Sequence, residues 1–304
     1  MSSTQVKLEL LPCLDSVEMS TSRRQELDIP RKRAAALGRS ALKAARIGYY
    51  INRTLAKSVS FDSSQSWVVD WSQNIQSACS AKQSISPDDP LPTPERIPHA
   101  QTQVQVSNET TLQASRRLVD SGLRPMALNF ADGIQPGGGF VLGLRTQEEV
   151  LCRSSALYQT LVDDPMYAHH LEHAQGESTD WAIYSPDVPV FRTDDGKELN
   201  CPWPLSILTS AAPYVPDVGQ PKSGDLLQKR IHRVLAIAHA YGHSELVLGA
   251  WGCGAFKNDP HRTAVDFRHA LETDFNGLFS LIVFAITDWS TERKFLGPFR
   301  DVFS

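Results

Sequence analysis

NFADGIQPGGGFVLGLRTQEEVLCRSSALY, residues 129–158, opens on the end of the mostly apolar run MALNFA, passes through three consecutive glycines and closes on a segment with helical spacing. The order is strand end, flexible loop, helix. Gly137, Gly138 and Gly139 lack a Cβ, so this backbone can take positive φ and come close to a ligand, its successive N–H groups forming a concave anion site. Thr146-Gln147-Glu148-Glu149 then fits a capping box, in which Glu149 reaches back to the Thr146 amide. Val150, Leu151, Leu157, Tyr158 and Leu161 supply the apolar stripe of a helix predicted over 147–162.

The same alternation extends outward. Short apolar runs, TQVQV (102–106), MALNFA (126–131), DWAIYS (180–185), PLSILTS (204–210), ELVLGAW (245–251) and FSLIVFAIT (279–287), predict strands. Helical periods fill the intervals at 109–120, 224–241 and 260–273. Continuous apolar strands alternating with helices indicate an α/β fold whose sheet is covered on both faces. In open sheets of this kind ligands bind outside the carboxyl ends of strands. A second glycine loop lies at such an end: Gly252, Cys253, Gly254, Ala255 and Phe256, followed by Asp259 and Pro260 in the order of an N-cap and first-turn proline. Two such loops, each feeding a helix, form a better diphosphate cradle than either alone. Neither is a Walker A or a G-x-G-x-x-G, which disfavours a hydride-transferring dinucleotide fold.

The chain has 304 residues, 41% hydrophobic and 21% charged, enough for a substantial core. No apolar run approaches the roughly 18 residues of a membrane span, and the N-terminus lacks the cationic-then-apolar order of a signal peptide. The expected compartment is therefore intracellular, cytoplasmic or nuclear, with no secretion and no membrane contact. Five scattered cysteines without a C-x-x-C pair predict free, mostly buried thiols. Net charge is −4, yet the stretch from Arg23 to Lys57 holds ten Lys/Arg against two acids. RRQELDIPRKRAAALGRSALKAARIGYY reads as a basic amphipathic helix packed through Ala35, Leu42 and Ile47; contact with a polyanion and organelle targeting are the other readings. Ser58 to Pro98 is rich in Ser, Gln, Asp and Pro and reads as a linker or irregular surface segment. The organisation expected is a flexible tail over 1–22, a helical and irregular accessory segment over 23–100, and the α/β domain over 101–304. An acidic chain that holds anions by backbone dipoles suits a small nucleotide diphosphate, so direct nucleic-acid binding is not expected, and a monomer is.

Glu148 and Glu149 admit two readings. A helix start explains them as cap and dipole partners. Their place at the rim of the glycine loop allows a second: adjacent helical residues point about 100° apart, so one carboxylate can hold sugar hydroxyls while the other transfers a proton. Burial beside a second carboxylate would raise a glutamate's pKa, as glycosidic chemistry requires.

GGG, a seven-residue spacer and then QEE resemble the bacterial-type poly(ADP-ribose) glycohydrolases, macrodomain enzymes. VSNETTL (106–112), NFA (129–131), QEEVLCRSSALY (147–158), IYSPDVPVF (183–191), ILTSAAP (207–213) and LVLGAWGCGAFKNDP (246–260) are similar to family segments, and the resemblance runs from about Arg23 to the C-terminus. It implies a macrodomain-like α/β/α sandwich with a mixed central sheet and an N-terminal helical accessory segment, the α/β domain being catalytic. It implies hydrolysis of the ribose–ribose bond of poly(ADP-ribose), free or on ADP-ribosylated proteins, with no cofactor and no metal. Glu149 matches the general acid/base and Glu148 the neighbour that holds ribose hydroxyls. Gly137, Gly138 and Gly139, with Gln147, match one side of the ADP-ribose site; Gly252, Cys253, Gly254, Ala255 and Phe256 match the other; Asn129 and Asp132 approach the distal ribose. Asp132, Gln135 and Tyr214 depart from the family's usual small or amide residues.

The competing readings are an ADP-ribose reader without catalysis, a hydrolase of mono-ADP-ribose on protein or nucleobase, and a zinc enzyme using His169 and His173, one helical turn apart. Trp251 reads as core, and Cys253 as small rather than nucleophilic.

Overall fold

The computed structural model describes residues 6–52, 67–94 and 98–304. Its strands are β1 (Leu8–Leu10), β2 (Tyr49–Ile51), β3 (Val68–Asp70), β4 (Gln83–Ile85), β5 (Thr102–Ser107), β6 (Met126–Ala131), β7 (Ala182–Arg192), β8 (Glu198–Ala211), β9 (Glu245–Leu248) and β10 (Leu281–Ala285). Eight of them form one mixed sheet in the order β1-β5-β10-β9-β6-β8-β7-β4, parallel from β1 to β8 and antiparallel through β7 and β4. Leu246 and Val247 of β9 and Ile282, Val283 and Phe284 of β10 are fully buried. Their continuous apolar runs reflect cover on both faces, where alternation would have left one face in water.

The helices form the two outer layers. On one face α9 (Lys222–Ala240), α10 (Pro260–Glu272) and α11 (Leu296–Val302) pack Leu227, Ile231, Phe267 and Phe299 into one core. On the other, α1 (Val17–Leu27), α2 (Arg31–Ile47), α3 (Ser72–Ala81), α4 (Thr111–Asp120) and α5 (Gln147–Ser154) contribute Leu27, Ala41, Ala78, Leu112 and Leu151 to buried surface. This is the expected α/β/α sandwich. Short helices α6 (Leu157–Leu161), α7 (Pro165–His169) and α8 (Val215–Val218) complete the loops.

Several expectations are corrected. The flexible tail over 1–22 holds β1, in parallel register with β5 (Leu8 opposite Thr102), and the start of α1, whose N-cap Ser16 accepts from Met19 N; residues 1–5 lie outside the described residues. A three-residue edge strand has too few positions to show a period. The basic helix is two helices, because Pro30 has no amide for the ladder and starts α2 anew. Within Ser58–Pro98, residues 67–94 contain β3, α3 and β4, the last an edge strand of the main sheet; 58–66 and 95–97 fall outside the described residues. The 23–100 segment is therefore no appendage: Ala41, Ala44 and Trp71 share a core with Leu112 and Val150, and Trp71 Nε1 donates to the Ala44 carbonyl. The helix expected over 147–162 breaks at Ser155, which turns extended, bridges to Val190 and caps Leu157 N with its hydroxyl. All five thiols are free, but only Cys152 and Cys253 are buried; Cys201 is exposed. Among the described residues no helix is long and apolar enough to cross a membrane.

Gly38 shows why α2 is fixed in place. A Cβ there would lie 2.3 Å from the Phe140 carbonyl oxygen. Alanine improves helix propensity by about 1 kcal/mol, but the overlap is with backbone and cannot be relieved by a rotamer. Gly38→Ala is expected to destabilise the protein by about 1–3 kcal/mol net, read by denaturant unfolding; a stabilised variant would show that α2 is free to move.

Candidate active site

The carboxyl ends of β5, β10, β9 and β6 meet on one edge of the sheet, and the loops that leave them enclose a cleft of about 280 Å³. Glu109 and Thr110 come from the loop after β5 and Thr111 from the first turn of α4, Thr287 and Trp289 from the loop after β10. Gly252, Gly254, Ala255 and Phe256, all expected ligand contacts, line it from the loop after β9. Gly252 needs to be glycine: its φ is +76°, and a Cβ would stand 2.8 Å from Ala212 Cβ and Asn258 Nδ2. A Cβ on Gly254 would meet nothing, so this backbone is open to the cleft. Phe256 is held edge-on by Tyr214, ring centroids 5.4 Å apart, which gives the unusual Tyr214 a packing role.

Cys253 does not join them. It is 4% exposed, its Sγ is 3.6 Å from Thr263 Oγ1, and burial pushes its thiol up to about 12. The loop sends its small side chain inward so that the backbone on either side can face outward.

Glu148 and Glu149 lie side by side at the N-terminus of α5, 2% and 4% exposed. Glu149 Oε2 accepts from Thr146 N at 2.9 Å and from the Thr146 hydroxyl, the reach-back bond of a capping box. Its other oxygen, Oε1, accepts from Gly139 N at 3.1 Å, which capping does not explain. Glu148 Oε2 accepts from Asp132 N at 2.8 Å and Oε1 from Asn129 Nδ2 at 3.2 Å, so Asn129 sits beside the pair as expected. Gly138, at φ +54°, covers both: a Cβ on it would be 2.5 Å from Glu149 Oε1 and 3.3 Å from Glu148 Oε2. Neither carboxylate nor any of Gly137, Gly138 and Gly139 lines the cleft itself; the pair adjoins its wall through Thr146 and Gln147.

Two expected contacts are occupied by the protein. Gln147 lines the cleft, yet its Oε1 accepts from Phe130 N at 2.9 Å and its Nε2 donates to the Leu128 carbonyl at 2.7 Å and to Thr111 Oγ1 at 3.1 Å. It ties α5 to β6 and so sets where the glutamates stand. The Asp132 carboxylate accepts from Ile134 N and Gln135 N, which closes the loop turn; its amide, not its side chain, meets Glu148.

The raised pKa falls on Glu148, pushed up to about 8 first by burial and also by the neighbouring Glu149, against the lowering effect of its hydrogen bonds. The folded protein thus favours the neutral acid, and the stability this contributes is fully present below the ordinary 4.5 and is lost as pH rises through about 8. Between about pH 5 and 9 the melting temperature of the wild type is expected to fall more steeply than that of the neutral isostere Glu148→Gln. Parallel pH profiles of the two would overturn the burial account.

Sequence reasoning missed Arg153, 1% exposed on α5, whose three guanidinium nitrogens have no hydrogen-bond partner among the described residues. It also missed Glu109, Thr287 and Trp289 of the cleft wall. Of the histidines, His170 is buried: Thr179 N donates to its Nε2 at 3.1 Å, leaving Nδ1 to donate to the Gly133 carbonyl at 2.9 Å. It pins the loop that carries Asp132. His169 and His173 stack on each other at 4.9 Å, and no group of three or more His, Cys, Asp or Glu among the described residues is placed to hold a metal.

The family model for the microbial-type PARG catalytic domain matches residues 52–193. Among solved structures, poly(ADP-ribose) glycohydrolase from Thermomonospora curvata is 34% identical with TM-score 0.80, over 89% of this chain and 99% of that one. The same enzyme bound to the inhibitor ADP-HPD matches at 33% identity and TM-score 0.78, over the same shares of both chains. Poly(ADP-ribose) glycohydrolase from Deinococcus radiodurans in complex with ADP-ribose matches at 36% identity and TM-score 0.69, over 76% of this chain and 97% of that one. A search of curated proteins gives no match.

Proposed function

The chain belongs to the microbial-type poly(ADP-ribose) glycohydrolases, and from that premise we propose that it hydrolyses the ribose–ribose O-glycosidic bond of poly(ADP-ribose) with Glu149 as general acid/base. The observation that carries the assignment of roles is the double anchoring of Glu149. Thr146 holds one oxygen as a helix cap would, while Gly139 N holds the other and ties the carboxyl to the glycine loop.

In the reaction Glu149 passes its proton to the departing ribose oxygen as the anomeric carbon gains oxocarbenium character. The carboxylate then takes a proton from the attacking water, whose oxygen bonds to the anomeric carbon. Products are ADP-ribose with a free anomeric hydroxyl and a polymer one unit shorter, and Glu149 returns protonated. Glu148, held by Asp132 N and Asn129 and favoured as the neutral acid, presents a hydroxyl donor or acceptor to the ribose diol. The loop of Gly252 to Phe256 takes the diphosphate by backbone N–H groups, while the Gly137 to Gly139 loop, whose Gly138 and Gly139 amides are held by the Gln135 carbonyl and Glu149, closes the other side, and Phe256 packs against the nucleoside.

The test is release of ADP-ribose from poly(ADP-ribose) by purified protein, with ADP-ribose affinity measured alongside. Release together with binding is expected. Binding without release would mark a reader, and neither would leave the glycine loops as turns and Glu149 as a cap.

A further inference from the structure

The outer face of α2 has no role in the site described above. The helix carries Arg31, Lys32, Arg33, Arg39, Lys43 and Arg46 and no acidic residue. All six are exposed, and none forms an ion pair with a described residue, whereas the nearby Arg24 and Arg145 both pair with Asp28. Three of the six hold the main chain: Arg31 Nε donates to the Leu142 carbonyl, Arg39 to the Val141 carbonyl and Arg33 to the Asp195 carbonyl. Lys32, Lys43 and Arg46 make no hydrogen bond among the described residues, and at positions i, i+11 and i+14 they fall within about 60° of one another around the helix.

The stripe is coupled to the site. Gly38 and Gly143 allow α2 to lie against the turn Phe140–Leu142, which continues directly from the glycines over Glu149. Two residues past that turn, Leu144 leads to Arg145 in the cleft wall. The leaving ribose departs from the carboxyl that protonates it, so the rest of the chain it belongs to emerges on this rim. Each further ADP-ribose unit brings a diphosphate, and the surface outside this basic stretch is net acidic and repels it.

We propose that the outer face of α2 is a docking track for the diphosphates of poly(ADP-ribose) units beyond the cleaved bond, making the enzyme prefer long polymer. This rests on the glycohydrolase reading. Contact is with phosphate and independent of base, so it is salt-dependent and adds to polymer affinity without touching the chemical step.

The experiment compares wild type with a Lys32→Gln, Lys43→Gln, Arg46→Gln triple variant on long poly(ADP-ribose) and on the dimer of ADP-ribose, across a salt series. For long polymer the variant is expected to raise KM about tenfold at low salt and to reduce the salt slope of log(kcat/KM) by about two, with kcat unchanged. On the dimer the two proteins are expected to coincide. Equal KM and equal salt slope on long polymer would overturn the track, as would equal losses on both substrates, which would place the helix in shaping the site. Weakened binding of a single-stranded DNA oligonucleotide with unchanged polymer kinetics would assign the face to nucleic acid and overturn it too. Failure of the wild type to cleave either substrate would instead remove the glycohydrolase reading on which the track depends.

Discussion

Glu149→Gln is expected to lower the rate of ADP-ribose release by about 10²–10⁴-fold while leaving ADP-ribose affinity within about threefold of wild type. The amide keeps an oxygen for one of its backbone partners, Gly139 N or Thr146 N, so the glycine loop stays tethered. It cannot donate a proton to the leaving oxygen or take one from water, so the loss falls on kcat. A helix-cap role alone gives the opposite pattern: a modest loss of stability, on the order of 1 kcal/mol, with turnover near normal. Single-turnover release and calorimetric titration of the same preparations separate the two. A variant that retains near-normal turnover would remove Glu149 from the chemistry.

Gly138→Ala is expected to lower kcat by about 100-fold or more without deleting a single functional group. Its φ of +54° costs a non-glycine residue about 1–2 kcal/mol. The new Cβ also overlaps Glu149 Oε1 at 2.5 Å and crowds Glu148 Oε2 at 3.3 Å. The carboxyl ends can shift, since they are side-chain tips, but only by giving up the hydrogen bond from Gly139 N. A displacement of about 1 Å of a proton-transfer group is enough for a loss of this size. Unfolding midpoints tell the two costs apart: the strain lowers stability, whereas the displacement lowers kcat in protein that is still folded. Wild-type kcat in a folded Gly138→Ala would mean that the loop does not position Glu149.

Much of the architecture was legible because both faces of the sheet are buried. Fully apolar runs such as LVL at 246–248 and LIVFA at 281–285 fit central strands between two helix layers, which is where they lie. Local chemistry also predicted the loop ends: Asp259 caps α10, accepting from His261 N and Arg262 N, with Pro260 in the first turn. Apart from the local break at Pro30, the missing term where the reading failed was a partner distant in sequence. β1 exists because β5 offers it an edge, and the 147–162 helix breaks because Ser155 finds Val190.

Local sequence therefore determined the strands, the two glycine loops and the adjacent glutamates, since backbone freedom, capping and periodicity act within a few residues. Tertiary structure alone decided what each group does there. Gln147 lines the cleft with its side chain held by the Phe130 amide and the Leu128 carbonyl, and Cys253 turns inward. Gly139 N reached Glu149 from ten residues away, and burial raised Glu148. Desolvation and hydrogen-bond geometry depend on what the rest of the chain packs around a group, and no short window of sequence contains that.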